Sequence, residues 1–185
     1  MRTRRPLLIA LLACALVVAV IGGWMLSRDP EPSYTLDDTV GSIALNKVSE
    51  GRMLPVVDLQ DINDNMTSTD LWQGQRLIIN FWFSTCEPCR REFPVLVAAD
   101  AQLASFRIVG VNLSDSSAIA VDFMQKYGAT FDTYFDRDGR LTSALGIATA
   151  PVTLLVDEGG LVRKQLTGEI TETMLTAALA EAFPA

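Results

Sequence analysis

Leu77-Ile78-Ile79-Asn80-Phe81-Trp82-Phe83-Ser84-Thr85-Cys86-Glu87-Pro88-Cys89-Arg90-Arg91-Glu92-Phe93-Pro94 decides how the rest of the chain is read. Its first six residues form a short, β-rich and almost unbroken apolar run, which predicts a central strand covered on both faces. Two cysteines follow at once. Pro88 suits the first turn of a helix, where its missing N–H is not needed, and Phe93, Leu96, Val97 and Leu103 repeat at roughly helical spacing. The order is therefore strand, Cys-x-x-Cys, helix.

A thiol at a helix N-terminus meets unpaired N–H donors and the positive end of the helix dipole, which favour thiolate and make Cys86 the expected nucleophile. Cys89 lies near enough to resolve a mixed disulfide at Cys86 by closing a small ring. Such a pair takes up and gives out two electrons without leaving its helix, so no cofactor beyond the cysteines themselves is expected. Half of a zinc site is the competing reading, but the chain has no His and no second Cys-x-x-Cys, so ligands stop at two and no metal is expected. A purely structural disulfide stays open, although closing so short a loop gains little chain entropy.

The segment Asn80 to Pro94, together with Pro151 ahead of a later strand, resembles the thioredoxin superfamily, and within it the membrane-anchored ResA and TlpA type thiol-disulfide oxidoreductases. The likeness covers roughly Gly51 to the C-terminus. Cys86-Glu87-Pro88-Cys89 and Glu92 are similar to the ResA pattern in particular, whereas Thr85 stands where that family usually has Trp. The resemblance implies an α/β, thioredoxin-like fold: a central mixed β-sheet flanked by helices, with an N-terminal β-hairpin and one preceding transmembrane helix. It implies that Pro151, which by itself also reads as ordinary strand-edge punctuation, is a cis-proline facing the cysteines and that Ala150, Pro151 and Thr85 meet the substrate. It also implies a proton-accepting role for Glu92 toward Cys89, three residues earlier on the same helix face. An acid that merely satisfies the helix dipole is the alternative. Asn80 occupies the place of thioredoxin's buried carboxylate and cannot titrate.

The N-terminus has its own character. Arg2, Arg4 and Arg5 precede Pro6 to Leu26, 21 residues without a charge, long enough to cross a bilayer as a helix, with the basic end held in the cytoplasm and the remainder outside. The expected division is an anchor over 1–27, an extended tether over 28–47 rich in Asp, Glu, Pro, Ser and Thr, and a thioredoxin-like domain over 48–185. A cleaved signal peptide would have a shorter apolar region. Leu11-Leu12-Ala13-Cys14 is a lipoprotein-like sequence, so lipid attachment at Cys14 is a second anchoring mode; Cys14 otherwise reads as a small apolar residue of the span. Either mode places the domain at the cell membrane on its extracytoplasmic side.

All 22 acidic residues lie beyond Arg28, against 11 basic ones there. Such a balance argues against nucleic acid and against adsorption to anionic lipid. It is compatible with a basic protein partner and serves solubility.

Around the central stretch, Val56 to Gln60 and Asn65 to Thr67 flank Asp61-Ile62-Asn63-Asp64, predicting the hairpin, and Leu71 to Gly74 reads as one helical turn. Phe106 to Asn112 is a second buried strand, parallel to the first by a right-handed crossover. A helix follows, capped near Ser114 to Ser117 and stopped at Gly128; then a short strand at Thr133 to Asp136 and a short helix at Leu141 to Leu145. Val152 to Val156 and Leu161 to Leu166, joined by Asp157-Glu158-Gly159-Gly160, form a hairpin, and an amphipathic helix from Thr171 to Phe183 closes the chain.

Glu87 and Pro88, between the cysteines, are placed to tune the couple. Negative charge at Glu87 and the absence of His oppose thiolate and predict a relatively reducing pair, since a stabilised thiolate makes the disulfide a stronger oxidant. Arg90 and Arg91 act in the opposite sense unless their guanidinium groups reach solvent. The leading reading is a reductase of partner-protein disulfides. By resemblance the partner would be the Cys-x-x-Cys-His region of apocytochrome c during cytochrome c maturation, with electrons from a membrane thiol carrier. An oxidising, disulfide-forming enzyme and a non-enzymatic binding module with a structural disulfide are the alternatives. The peroxiredoxin pattern is absent around Cys86.

Overall fold

The computed structural model describes residues 46–184. The apolar run is β3 (Arg76–Trp82), with all but its first residue buried. Side chains alternate along it, so Ile78, Asn80 and Trp82 face one side while Leu77, Ile79 and Phe81 face the other. Each set of apolar side chains joins a separate core: Ile78 and Trp82 pack with Phe93 and Leu96, and Leu77, Ile79 and Phe81 with Leu141 and Leu154. A strand covered on both faces requires this pattern. Asn80 is the polar exception, wholly buried in the first face.

β4 (Phe106–Asn112) lies parallel to β3 on one side and β6 (Val152–Val156) antiparallel on the other. Helix α1 (Glu87–Gln102) makes the crossover from β3 to β4. β5 (Asp132–Phe135) extends the parallel part and β7 (Val162–Thr167) pairs with β6 as the expected hairpin. The N-terminal hairpin, β1 (Asp58–Gln60) and β2 (Met66–Ser68), is joined to β5 by the register pair Gln60 and Phe135, completing the order β2-β1-β5-β4-β3-β6-β7. The expected helical turn after it is a 3-10 turn over Thr69–Trp72 that buries Trp72 against the Tyr134 ring, centroids 5.1 Å apart.

The remaining helices sit where caps and stop signals put them. α2 (Ser117–Tyr127) starts on Ser116, whose hydroxyl accepts from the Ile119 amide, and ends on Gly128 in the left-handed region. α3 (Arg140–Leu145) is short, and α4 (Glu172–Ala182) is capped by Thr171, whose hydroxyl accepts from Met174 N. α1, α2 and α4 cover the face of the sheet that carries Asn80.

Two sequence expectations meet the boundary of the described residues. The apolar run 6–26, Cys14 and the tether up to residue 45 lie outside them; among the described residues no helix is long and apolar enough to cross a membrane. Asn46 and Lys47, read as the end of the tether, are bonded into the body: Lys47 N donates to the Gly146 carbonyl, and the Asn46 side chain binds residues 148 and 149. An asparagine in a polar, proline-containing stretch carries no local sign of that docking, because its partners are about a hundred residues away.

Candidate active site

The antiparallel pairing of β6 with β3 brings Pro151, just ahead of β6, to the sheet end from which the chain leaves β3 for the cysteines. The Ala150–Pro151 peptide is cis, as the sequence reading expects. Pro151 is buried, and Ala150 packs against the apolar cluster that includes Cys86 and Cys89.

Cys86 is the N-cap residue of α1, and its sulfur accepts from the backbone N–H of Cys89 at 3.2 Å. A first-turn donor of the helix is thus aimed at that sulfur, an arrangement that favours thiolate once the pair is reduced. The cysteines are joined, S–S 2.11 Å with Cα atoms 5.2 Å apart, inside the range a disulfide spans. Cys89 is inaccessible while Cys86 keeps 5% of its surface, so an incoming thiolate or disulfide reaches Cys86 first. Thr85 is exposed beside it.

The loop before the cysteines is held from β4. Both the backbone N–H and the hydroxyl of Ser84 donate to the Asp115 carboxylate, at 2.6 and 2.7 Å, and Asn112 Nδ2 donates to it at 2.8 Å. Arg137, lying over the Phe135 ring, donates to the Asp115 backbone carbonyl. Neither Ser84 nor Asp115 belongs to a recognisable motif, and they are 31 positions apart, so sequence reasoning missed both.

Glu92 lies beyond the first turn of a helix that begins at Glu87 and is wholly buried, which rules out the reading of an acid that merely satisfies the helix dipole. Its Oε1 accepts from Asn80 Nδ2 at 2.7 Å and its Oε2 from the Ile170 backbone N–H at 2.9 Å. Burial pushes its pKa up to about 7; the Asn80 and Ile170 bonds act downward and the Glu169 charge upward. Asn80, which cannot titrate, is thus the partner of a group that can.

Glu87 points outward. Its carboxylate lies 3.7 Å from Arg90 and 3.6 Å from Arg91, and Arg91 also meets Glu169 at 2.6 Å. These exposed contacts contribute little stability. They do offset and screen the charge that the sequence reading set against the thiolate, and they hold Arg90 and Arg91 as partners of acids rather than of sulfur. Pro88 is half-buried in the first turn.

The wall opposite the cysteines is completed by the β7–α4 connection: Gly168 N donates to the Pro151 carbonyl at 2.9 Å, and Ile170 N, two residues on, holds Glu92. The sequence reading named neither residue, although a glycine just past the last strand was the available signal.

Residues 49–182 match the family model for Redoxin. The chain belongs to the Redoxin family. This Redoxin-family chain is 32% identical over 144 residues to the thiol-disulfide oxidoreductase ResA of Bacillus subtilis strain 168, covering 77% of this chain and 80% of that one. It is 29% identical over 171 residues to the thiol:disulfide interchange protein DsbE of Escherichia coli K12, covering 90% and 88%. Among solved structures, StoA from Bacillus subtilis superposes with a TM-score of 0.57 at 29% identity, over 68% of this chain and 96% of that one. With its thioredoxin-like sheet and the Cys86–Cys89 disulfide, this Redoxin-family member is a thiol-disulfide oxidoreductase.

Proposed function

We propose that this oxidoreductase works as a reductase of protein disulfides, tethered to the outer face of the cell membrane by residues 1–27. The observation that carries the redox role is the Cys86–Cys89 disulfide at the N-terminus of α1, with the buried carboxyl of Glu92 on the same helix.

In the reduced enzyme the Cys86 thiolate attacks one sulfur of the partner's disulfide; the partner's other sulfur leaves as thiolate, and a mixed disulfide to Cys86 forms. Glu92 takes the proton of the Cys89 thiol. The resulting Cys89 thiolate attacks Cys86 Sγ, the partner's second sulfur leaves as thiolate, and the Cys86–Cys89 bond closes. Two electrons pass to the partner, whose thiolates take up protons from Glu92 and solvent. A donor dithiol then reduces Cys86–Cys89 by the same steps in reverse, as an oxidising compartment requires. An extended segment of the partner would pass beside Ala150 and Pro151 to reach Cys86, with Thr85 exposed next to it.

The lack of any His supports the reducing direction, and Glu87 adds to it what its Arg90 and Arg91 contacts leave unscreened. Arg2, Arg4 and Arg5 ahead of the apolar run 6–26 support anchoring with the domain outside. The likeness to the ResA type supports apocytochrome c as partner and a membrane thiol protein as donor.

A Cys89→Ala variant tests the reading. It should accumulate mixed disulfides through Cys86 in cells, and the wild-type couple should titrate near thioredoxin's potential of about −270 mV rather than DsbA's of about −120 mV. No trapped adduct would sink the enzyme role toward partner proteins, and a DsbA-like potential would reverse the direction of electron flow.

A further inference from the structure

Asn80 carries an unpaired atom at the centre of this site. Its two Nδ2 hydrogens are taken, one by Glu92 Oε1 at 2.7 Å and one by Thr153 Oγ1 at 3.0 Å, its cross-strand partner on β6. Its Oδ1 has no partner although the residue is wholly buried. A buried amide oxygen without a donor has lost its water with nothing in exchange, so its placement calls for a reason.

From this geometry we infer that Asn80 is a positioning residue that serves both charge states of Glu92 by turning its amide over. The inference rests on the reading of Glu92 as proton acceptor and adds a partner that follows the proton. In the arrangement the structure shows, Nδ2 donates to Glu92 and Oδ1 is left over, which suits the ionised carboxylate. Once Glu92 holds the Cys89 proton, its carboxyl needs an acceptor, and Ile170 N on the other oxygen can only donate. Half a turn of the amide presents Oδ1 to the Glu92 hydroxyl, and Thr153, which accepts at present, donates to Oδ1 with its own hydroxyl. Nδ2 is then left over. Each arrangement strands one group of Asn80, so neither charge state of Glu92 is locked out. A carboxyl that must both take and return a proton in one cycle needs that balance.

The charged and titratable groups around Glu92 are few. Glu169 lies on the β7–α4 connection and opposes ionisation. On its own helix are Arg91, which Glu169 engages, and Cys89, with Cys86 at the helix cap. β3 and β6 present Asn80 and Thr153, which carry no charge.

Side-chain amide NMR of the oxidised full-length protein, labelled with 15N-asparagine, tests the inference. The Asn80 Nδ2 signals should move between two positions with the same midpoint as the Glu92 carboxyl carbon. Glu92→Gln presents an N–H donor to Asn80 at every pH, because Ile170 N occupies its carbonyl oxygen. In that variant the Asn80 signals should sit at the low-pH position and stay there. Asn80→Ala should raise the Glu92 midpoint by about one pH unit, because the bond lost from the carboxylate is charge-assisted and stronger than the one lost from the neutral acid.

Asn80 signals that stay flat through the Glu92 titration would overturn the proposal, as would high-pH signals in Glu92→Gln. An unmoved or lowered Glu92 midpoint in Asn80→Ala would do the same. Should Asn80→Ala not fold, the first two measurements decide alone. Unchanged turnover in Glu92→Gln would instead remove the proton-acceptor reading, and the amide measurement on the resting protein would stand apart from it.

Discussion

At the scale of single residues, Glu92 gives the protein a pH dependence of stability with a defined sign. Burial raises its pKa to about 7 from an ordinary 4.5, so the folded chain holds this proton to higher pH than the unfolded chain does. The stability contributed by the protonated form is fully present below about pH 4.5 and is lost as pH rises through about 7. A shift of that size corresponds to roughly 3 kcal/mol across the window. Denaturant unfolding of the oxidised protein should therefore show lower stability at pH 8 than at pH 5, and Glu92→Gln should flatten the slope. An equal slope in the variant would assign the effect to other groups.

Gly110 on β4 is constrained as tightly. A Cβ there would lie 2.6 Å from Thr133 Oγ1 and 2.8 Å from Trp82 Nε1, two buried atoms without hydrogen-bond partners. Gly110→Ala should destabilise by about 1–3 kcal/mol. Because the nearest clash is with the threonine hydroxyl, adding Thr133→Ala should recover part of that loss in a double-mutant cycle. Additive losses would place the strain elsewhere.

At the scale of elements, the site is a set of loops tied to strand ends. The loop before Cys86 hangs on Asp115, so Asp115→Ala should leave Ser84 N, Ser84 Oγ and Asn112 Nδ2 without their acceptor. A loss of about 2–4 kcal/mol is expected, with faster alkylation of Cys86 in the reduced protein as its loop loosens. The stretch ahead of Pro151 hangs on Asn46, whose Oδ1 accepts from Ala148 N at 2.7 Å and Thr149 N at 2.9 Å and whose Nδ2 donates to Thr149 Oγ1. Asn46→Ala should expose those two amides to hydrogen exchange while leaving the β3 and β4 amides protected. Uniform loss of protection would mean that Asn46 supports the whole domain rather than this stretch.

These two ties also show where sequence reading stops. The strands were legible because apolar runs such as Leu77–Trp82 must be buried on both faces, and the helices because Ser116, Gly128 and Thr171 carry their own cap chemistry. Cys86 and Cys89 were legible from spacing, and Glu92 from its offset on the same helix. What was not legible is side-chain pairing across the sheet. Asn80 meets Thr153 across 73 positions and Asn46 meets Thr149 across 103, and no local periodicity records either contact. The hidden burial of Glu92 has the same origin. Its helix face is apolar on either side of it, and only the packing of Ile170 from a distant connection shows that the acid is closed off from water.

At the scale of the whole molecule, the charge balance makes a claim about partners. Beyond Arg28 there are 22 acidic residues against 11 basic ones, so this part of the chain repels acidic chains and draws basic ones at distances below the Debye length, about 10 Å at 0.1 M salt and 30 Å at 0.01 M. The rim near the cysteines does not share that excess: Glu87 and Glu169 are matched there by Arg90 and Arg91. Long-range steering and local contact thus separate, the first set by the body and the second by a nearly balanced rim. Two disulfide peptides of equal potential, one basic and one acidic, should be reduced at rates that differ by about tenfold at 0.01 M salt, the basic one faster. The difference should shrink severalfold at 0.15 M because only the steering component is screened. If the rates agree at both salt concentrations, the acidic excess serves solubility alone. If instead the difference persists undiminished at high salt, recognition of charge is local, and Glu87 and Glu169 become the residues to neutralise.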